Sequence, residues 1–253
     1  MPAQPDRAVV SALQDRVRSL EGGRNHERRV LPFGVRDIDS RLPGGGLALG
    51  ALHEVAGGGN GAVDGAAAAL FAAGIAARTV GKVLWCVSQQ DLFAPAIAQA
   101  GLSPDRVIYV EAGDDKSVLA CFEEGLRHVG LGAVVAEVAR LPMTASRRLQ
   151  LAAETSGGIG IAIRRCRRQS DATDFGQPTA SVTRWRVSVM PSKPLPVPGV
   201  GRARWQLELI RCRGGESADF EVEACDAKGR LAVPSAVVNR SSEKEIGRRI
   251  IAA

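Results

Sequence analysis

Between residues 51 and 164, short and nearly uninterrupted apolar runs alternate with segments of helical character, and that order leaves few folds open. ALHEVAG (51–57), KVLWCVS (82–88), DRVIYVE (105–111), GAVVAEV (132–138) and GGIGIAIR (157–164) read as strands. The alanine-rich run Ala66 to Ala77, DLFAPAIAQAG (91–101), DDKSVLACFEEGLRHVG (114–130) and ASRRLQLAAET (145–155) read as helices. Strands that are apolar throughout need cover on both faces, and strands linked through helices run parallel. The expectation is an α/β protein whose helices sandwich a largely parallel sheet.

The flanks differ in character. Val9, Val10, Leu13, Val17 and Leu20 recur at three- and four-residue spacing and predict a short N-terminal helix, followed by a polar linker from Glu21 to about Arg29. After Arg168 the stretch QSDATDFGQPTAS (169–181) has no period and reads as a loop. TRWRVSVM (183–190), RWQLELIRC (204–212) and DFEVEAC (219–225) are β-like, and the proline-rich PSKPLPVPGVG (191–201) separates the first two. They predict an antiparallel C-terminal extension. EKEIGRRIIAA (243–253) predicts a short terminal helix. Four parts follow: residues 1–29 as helix and linker, 30–168 as the α/β core, 169–240 as a basic β-rich extension and 241–253 as a tail.

The chain has 253 residues, 45% of them apolar, enough for a packed core. No apolar run is long enough to span a membrane, and residues 1–10 lack the pattern of a secretory signal. Five scattered cysteines (Cys86, Cys121, Cys166, Cys212, Cys225) form no CxxC pair, and His26, His53 and His128 are dispersed, so neither a disulfide framework nor a metal site is expected. This composition fits a soluble cytoplasmic protein. Cys86 and Cys121 read as packing residues, and Asp114 and Asp115 as favourable charges at a helix start.

Charge is unevenly placed. The whole chain carries +6, yet Arg164 to Arg213 holds ten arginines and Lys193 against Asp171, Asp174 and Glu208, a surplus of eight. That concentration suits nucleic acid or an acidic protein surface, although a solvated basic face accounts for it equally well.

Strand, glycine-rich turn and helix in succession is the setting of a phosphate-binding loop, GxxxxGK[ST], in which backbone N–H groups cradle phosphates, lysine neutralises them and the hydroxyl holds Mg²⁺. The corresponding residues are Gly57, Gly58, Gly59, Asn60, Gly61, Ala62 and Val63. Ala62 stands at the lysine position and Val63 at the hydroxyl position, and Asp64 adds a negative charge. A structural turn is the expectation, with no nucleotide cofactor.

The order FGVRDIDSRLPGGGLALGALHEVAG (33–57) resembles the opening of a RecA-type core. In that comparison VLWCVSQQDLF (83–93) offers Gln89 and Gln90 where active members carry the glutamate that activates water, and an amide is no general base. GAVVAEV places Glu137 near the usual position of the Mg²⁺-associated aspartate. LPGGGL (42–47), LHEV (52–55), IRRCRR (163–168), SVTRWRV (181–187) and RWQLELIRCRGG (204–215) together resemble the ImuA family, RecA-like accessory proteins of the bacterial SOS-induced mutagenic polymerase cassette. The resemblance covers about residues 30 to 238. It implies a RecA-like three-layer core and a nucleoid-associated role with an ImuB-type Y-family polymerase homologue, a DnaE-type error-prone polymerase, RecA and DNA. An atypical DNA-dependent NTPase or recombinase and a SulA-like cell-division inhibitor are the competing readings.

Trp185 lies between Arg184 and Arg186, and Trp205 follows Arg204. Strand alternation predicts tryptophans in the core and arginines on the opposite face. Arg164, Arg165, Arg167, Arg168, Arg184, Arg186, Arg202 and Arg204 are the candidate residues for nucleic-acid or partner binding. The first four, at the end of the last core strand, are expected to be solvated.

Overall fold

In a computed structural model of the chain, residues 29–59, 61–165, 175–194, 198–199 and 201–234 are described. The predicted N-terminal helix, the C-terminal tail, Asn60, Arg167 and Arg168 lie outside them.

Eight strands form one sheet. In chain order they are β3 (Ala51–Gly57), β4 (Lys82–Val87), β5 (Val107–Glu111), β6 (Leu131–Val138), β7 (Ile159–Arg164), β8 (Thr183–Met190), β9 (Arg204–Cys212) and β10 (Ala218–Glu223). A separate antiparallel pair, β1 (Val30–Leu31) and β2 (Leu47–Ala48), precedes them. The sheet order is β10-β9-β8-β3-β7-β6-β4-β5. From β8 to β5 all neighbours are parallel, and β9 and β10 add antiparallel strands on the other side. The C-terminal strands therefore continue the core sheet, with β8 directly beside the central β3.

Helices cover both faces. On one lie α1 (Arg36–Asp39), α2 (Gly61–Ala77) and α3 (Ala94–Gln99). On the other lie α4 (Asp115–Arg127) and α5 (Met143–Ser156), whose Phe122, Leu126, Leu149 and Ala153 pack on Leu52, Val134 and Ala162 of the sheet. Alanine makes α2 a good helix former and lets it approach the sheet closely; Ala67, Ala68, Ala72, Ala73 and Ala76 are all buried. The α4 helix begins at Asp114, whose carboxylate accepts the Ser117 N–H at 2.8 Å. Asp115 turns back instead to accept the N–H groups of Ala139 and Arg140.

The extension strands alternate as expected. Trp185, Val187, Trp205, Leu207, Leu209 and Val222 are buried on the α2 side. There Phe33, Phe71 and Trp185 form an aromatic cluster with centroids 5.6–5.8 Å apart. Asp39 holds Phe33 in place by accepting the N–H groups of Phe33 and Gly34 at 2.7 and 2.9 Å. The opposite side of β8, β9 and β10 carries the charged residues.

Candidate functional site

The glycine turn at the end of β3 sits tightly against its surroundings. The Gly58 N–H donates to the Val187 carbonyl at 2.9 Å, continuing the β3–β8 ladder beyond the strand end. A Cβ at Gly58 would overlap Ser188 Oγ and lie 2.7 Å from Asp64 Oδ2; one at Gly57 would lie 2.7 Å from the backbone of Asp64 and Gly65. Glycine is required there because β8 and the first turn of α2 already occupy the space a side chain needs. Gly61 supplies a positive φ of 50° at the start of α2. Asp64 is buried, and its Oδ1 accepts the Val189 N–H at 2.8 Å. Val63 is half exposed.

This arrangement does not fit a triphosphate. The turn has no lysine and no metal-binding hydroxyl, and Ser188 and Asp64 crowd Gly58. The strand-end acid is likewise engaged: Glu137 is buried, its Oε1 accepts the Trp85 indole N–H at 2.9 Å, and its Oε2 lies 3.2 Å from Arg165 Nε. Arg165 also bridges to Asp91. Gln89 and Gln90 are exposed in a bend after β4. Among the described residues no group of three or more His, Cys, Asp or Glu side chains could hold a metal ion. Burial pushes the thiols of Cys86 and Cys225 up to about 12 and that of Cys212 to about 11, which keeps these three protonated at neutral pH.

On the face away from α2, two predicted arginines meet inside the protein. Arg164 Nη1 and Arg184 Nη2 each lie 3.2 Å from a carboxylate oxygen of Glu54, and all three side chains are buried. Strand order explains the meeting, since β7 and β8 flank β3 and Glu54 pairs in register with Arg184. Thr179 and Ser181 also donate hydroxyls to Glu54, Ser181 at 2.7 Å. Arg164 donates to the Ala139 carbonyl, and Arg184 to those of Phe175 and Gln177. The expectation that Arg164 is solvated is corrected: its strand end is covered by this network, which fastens residues 175–181 onto the sheet.

Among the described residues the remaining candidates lie nearer solvent but are paired. Arg186 meets Glu208 at 3.0 Å, Arg202 meets Glu223 at 3.2 Å and Arg204 meets Glu221 at 2.7 Å. Arg211 and Arg213 donate to the carbonyls of Thr179 and Ala180. Much of the surplus counted along the chain is therefore offset by acids outside that segment: Glu54, Asp91, Glu137, Glu221 and Glu223.

Sequence reasoning missed Glu54, although a carboxylate inside an otherwise apolar strand signals a buried cation. It also missed the role of His53. That residue is fully buried, with Nδ1 2.7 Å from Thr183 Oγ1 and Nε2 2.9 Å from the Ala48 carbonyl. Trp185 donates its indole N–H to the same Thr183 oxygen at 2.9 Å. Burial lowers the His53 pKa to about 4, partly opposed by the Ala48 carbonyl, so the ring is neutral and donates through Nε2.

A parallel sheet layered between helices, with the glycine turn at the end of its central strand and three further strands beyond, defines a RecA-like protein. The crystal structure of the RadB recombinase superposes with a TM-score of 0.54 over 81% of this chain and 100% of that one, at 18% identity, a likeness of fold. The chain belongs to the ImuA family: it is 38% identical over 237 residues to Protein ImuA of Caulobacter vibrioides, covering 90% of this chain and 96% of that protein. The same values hold for strain NA1000 / CB15N and for strain ATCC 19089 / CIP 103742 / CB 15. No family model matches the chain.

Proposed function

We propose that this chain is a non-hydrolytic RecA-like adaptor in SOS-induced error-prone translesion DNA synthesis. It binds an ImuB-type Y-family polymerase homologue, with RecA, a DnaE-type error-prone polymerase and DNA as its further partners. The observation that carries the non-hydrolytic part is the filled turn: Asp64 and Ser188 stand against Gly58, whose N–H is already given to the Val187 carbonyl and not free for a phosphate. The adaptor part rests on membership of the ImuA family together with a basic C-terminal half. A Mg-ATP titration read alongside pull-down of the polymerase homologue tests both. No nucleotide binding at millimolar ATP together with retention of the polymerase homologue is the expected result. DNA-stimulated turnover by pure protein, abolished by Glu137→Ala, would overturn the non-hydrolytic reading. Failure to retain the homologue would overturn the adaptor reading.

A further inference from the structure

The β10 strand closes one side of the sheet, and among the described residues its outer edge is covered only by the bridge of Glu223 to Ala232. That bridge sets the polarity of the edge. The Glu223 N–H donates outward to the Ala232 carbonyl at 2.8 Å, so the two-residue period also turns the N–H and C=O of Asp219 and Glu221 outward. Alongside them runs a groove of about 460 Å³ between β10 and α1. Val35, Ile38 and Phe220 supply its apolar lining on the α1 side, where Asp37 lies with one cation, Arg41; Asp219 and Glu221 alternate with Phe220 along β10 and so carry their carboxylates on the other face of the strand. Arg41 faces Glu216 at 3.7 Å and Glu221 holds Arg204, which leaves Asp37 and Asp219 without a cationic partner among the described residues.

We propose that this groove is a strand-addition site for an extended segment of a partner protein in which apolar side chains alternate with lysine or arginine. The outward backbone groups of Asp219 and Glu221 pair with the incoming strand. On the α1 side Val35, Ile38 and Phe220 receive every second side chain, and on the other face of the strand Asp219 and Glu221 receive the basic ones. The local sign is opposite to the +6 of the whole chain, so selection of a basic segment comes from the groove and not from the overall field. A strand edge flanked by an apolar lining also needs cover to avoid self-association, and a bound segment provides it. The inference goes beyond the adaptor reading and does not depend on it.

The test uses the full-length chain and a short fluorescent peptide of alternating valine and lysine, compared with its valine–glutamate counterpart and with a backbone N-methylated form. The lysine peptide should bind at least about tenfold tighter than the glutamate peptide. N-methylation should abolish binding, and the Asp37→Lys/Asp219→Lys variant should reverse the preference. Equal affinity for the two peptides, unchanged binding after N-methylation, or an unreversed preference would each overturn the assignment. Binding that appears only when the chain ends at Pro234 would assign the groove to the chain's own C-terminal residues and overturn a separate partner.

Discussion

The carboxylate of Asp64 accepts the backbone N–H of Val189 at 2.8 Å, joining the first turn of α2 to a strand 125 residues further along the chain. The residue that opposes phosphate binding on charge grounds thus has a structural task. It anchors β8 beside β3 at the point where a RecA-like nucleotide loop would open.

Loss of that anchor should cost stability and yield no nucleotide site. Asp64→Ala is expected to destabilise by about 1.5–3 kcal/mol, the usual scale for a hydrogen bond to a charged group. Ala62→Lys/Val63→Thr, which restores the missing loop residues while Asp64 and Ser188 stay, should still fail to bind ATP. Denaturant melts and titration with a fluorescent nucleotide check the two parts; micromolar binding by the restored loop would contradict the second.

Glu54 should be among the most sensitive positions in the chain. Glu54→Ala leaves two buried guanidiniums without their carboxylate, and removing one side of a buried ion network costs about 3–5 kcal/mol. Glu208→Ala, which breaks the half-exposed pair with Arg186, should cost less than about 1 kcal/mol. Equal midpoints for the two variants in urea would show that the buried network contributes no more than a surface pair.

Acid should weaken the fold through His53. The folded pKa of about 4 lies below the unfolded value of 6.5, so only the unfolded chain takes up a proton between these limits. The His53 contribution is therefore constant above pH 6.5 and is lost as pH falls to about 4. The loss amounts to about 3 kcal/mol at 1.4 kcal/mol per pH unit. Stability measured from pH 7.5 to 4 should decline less steeply in His53→Gln; parallel declines would mean that other groups carry the acid response.

Any DNA or polymerase contact should come from arginines other than the two held by Glu54. Replacing Arg167, Arg168, Arg186 and Arg202 with alanine should leave the fold intact, since the two described ones add to their pairs with Glu208 and Glu223 only a contact over the Phe175 ring and donations to the Ala224 and Arg230 carbonyls. If DNA binds there, its affinity should fall by about 0.7 log unit per log of salt for each phosphate neutralised on a single strand, and the variant should show a shallower slope. If the partner is protein, the same variant should lose the polymerase homologue in pull-down. Wild-type behaviour in both measurements would leave these arginines as a solvated face.

Much of this architecture is local and can be read along the chain. Hydrophobic period places each core strand and helix to within a few residues. Alternation alone puts Trp185 and Trp205 in the core, and the absent lysine and hydroxyl at Ala62 and Val63 are evident by inspection. Charge pairing was not legible in the same way. Arg164 and Arg184 look like members of one basic run, but both share the carboxylate of Glu54, 110 and 130 residues away. Counting charges along the chain cannot find that partner, because it depends on β7 and β8 both lying beside β3. The same holds for Asp64 and Val189. Periodicity is a property of neighbouring residues, and sequence determined it; which buried charge meets which is set by strand order and register, and only the tertiary structure decided that.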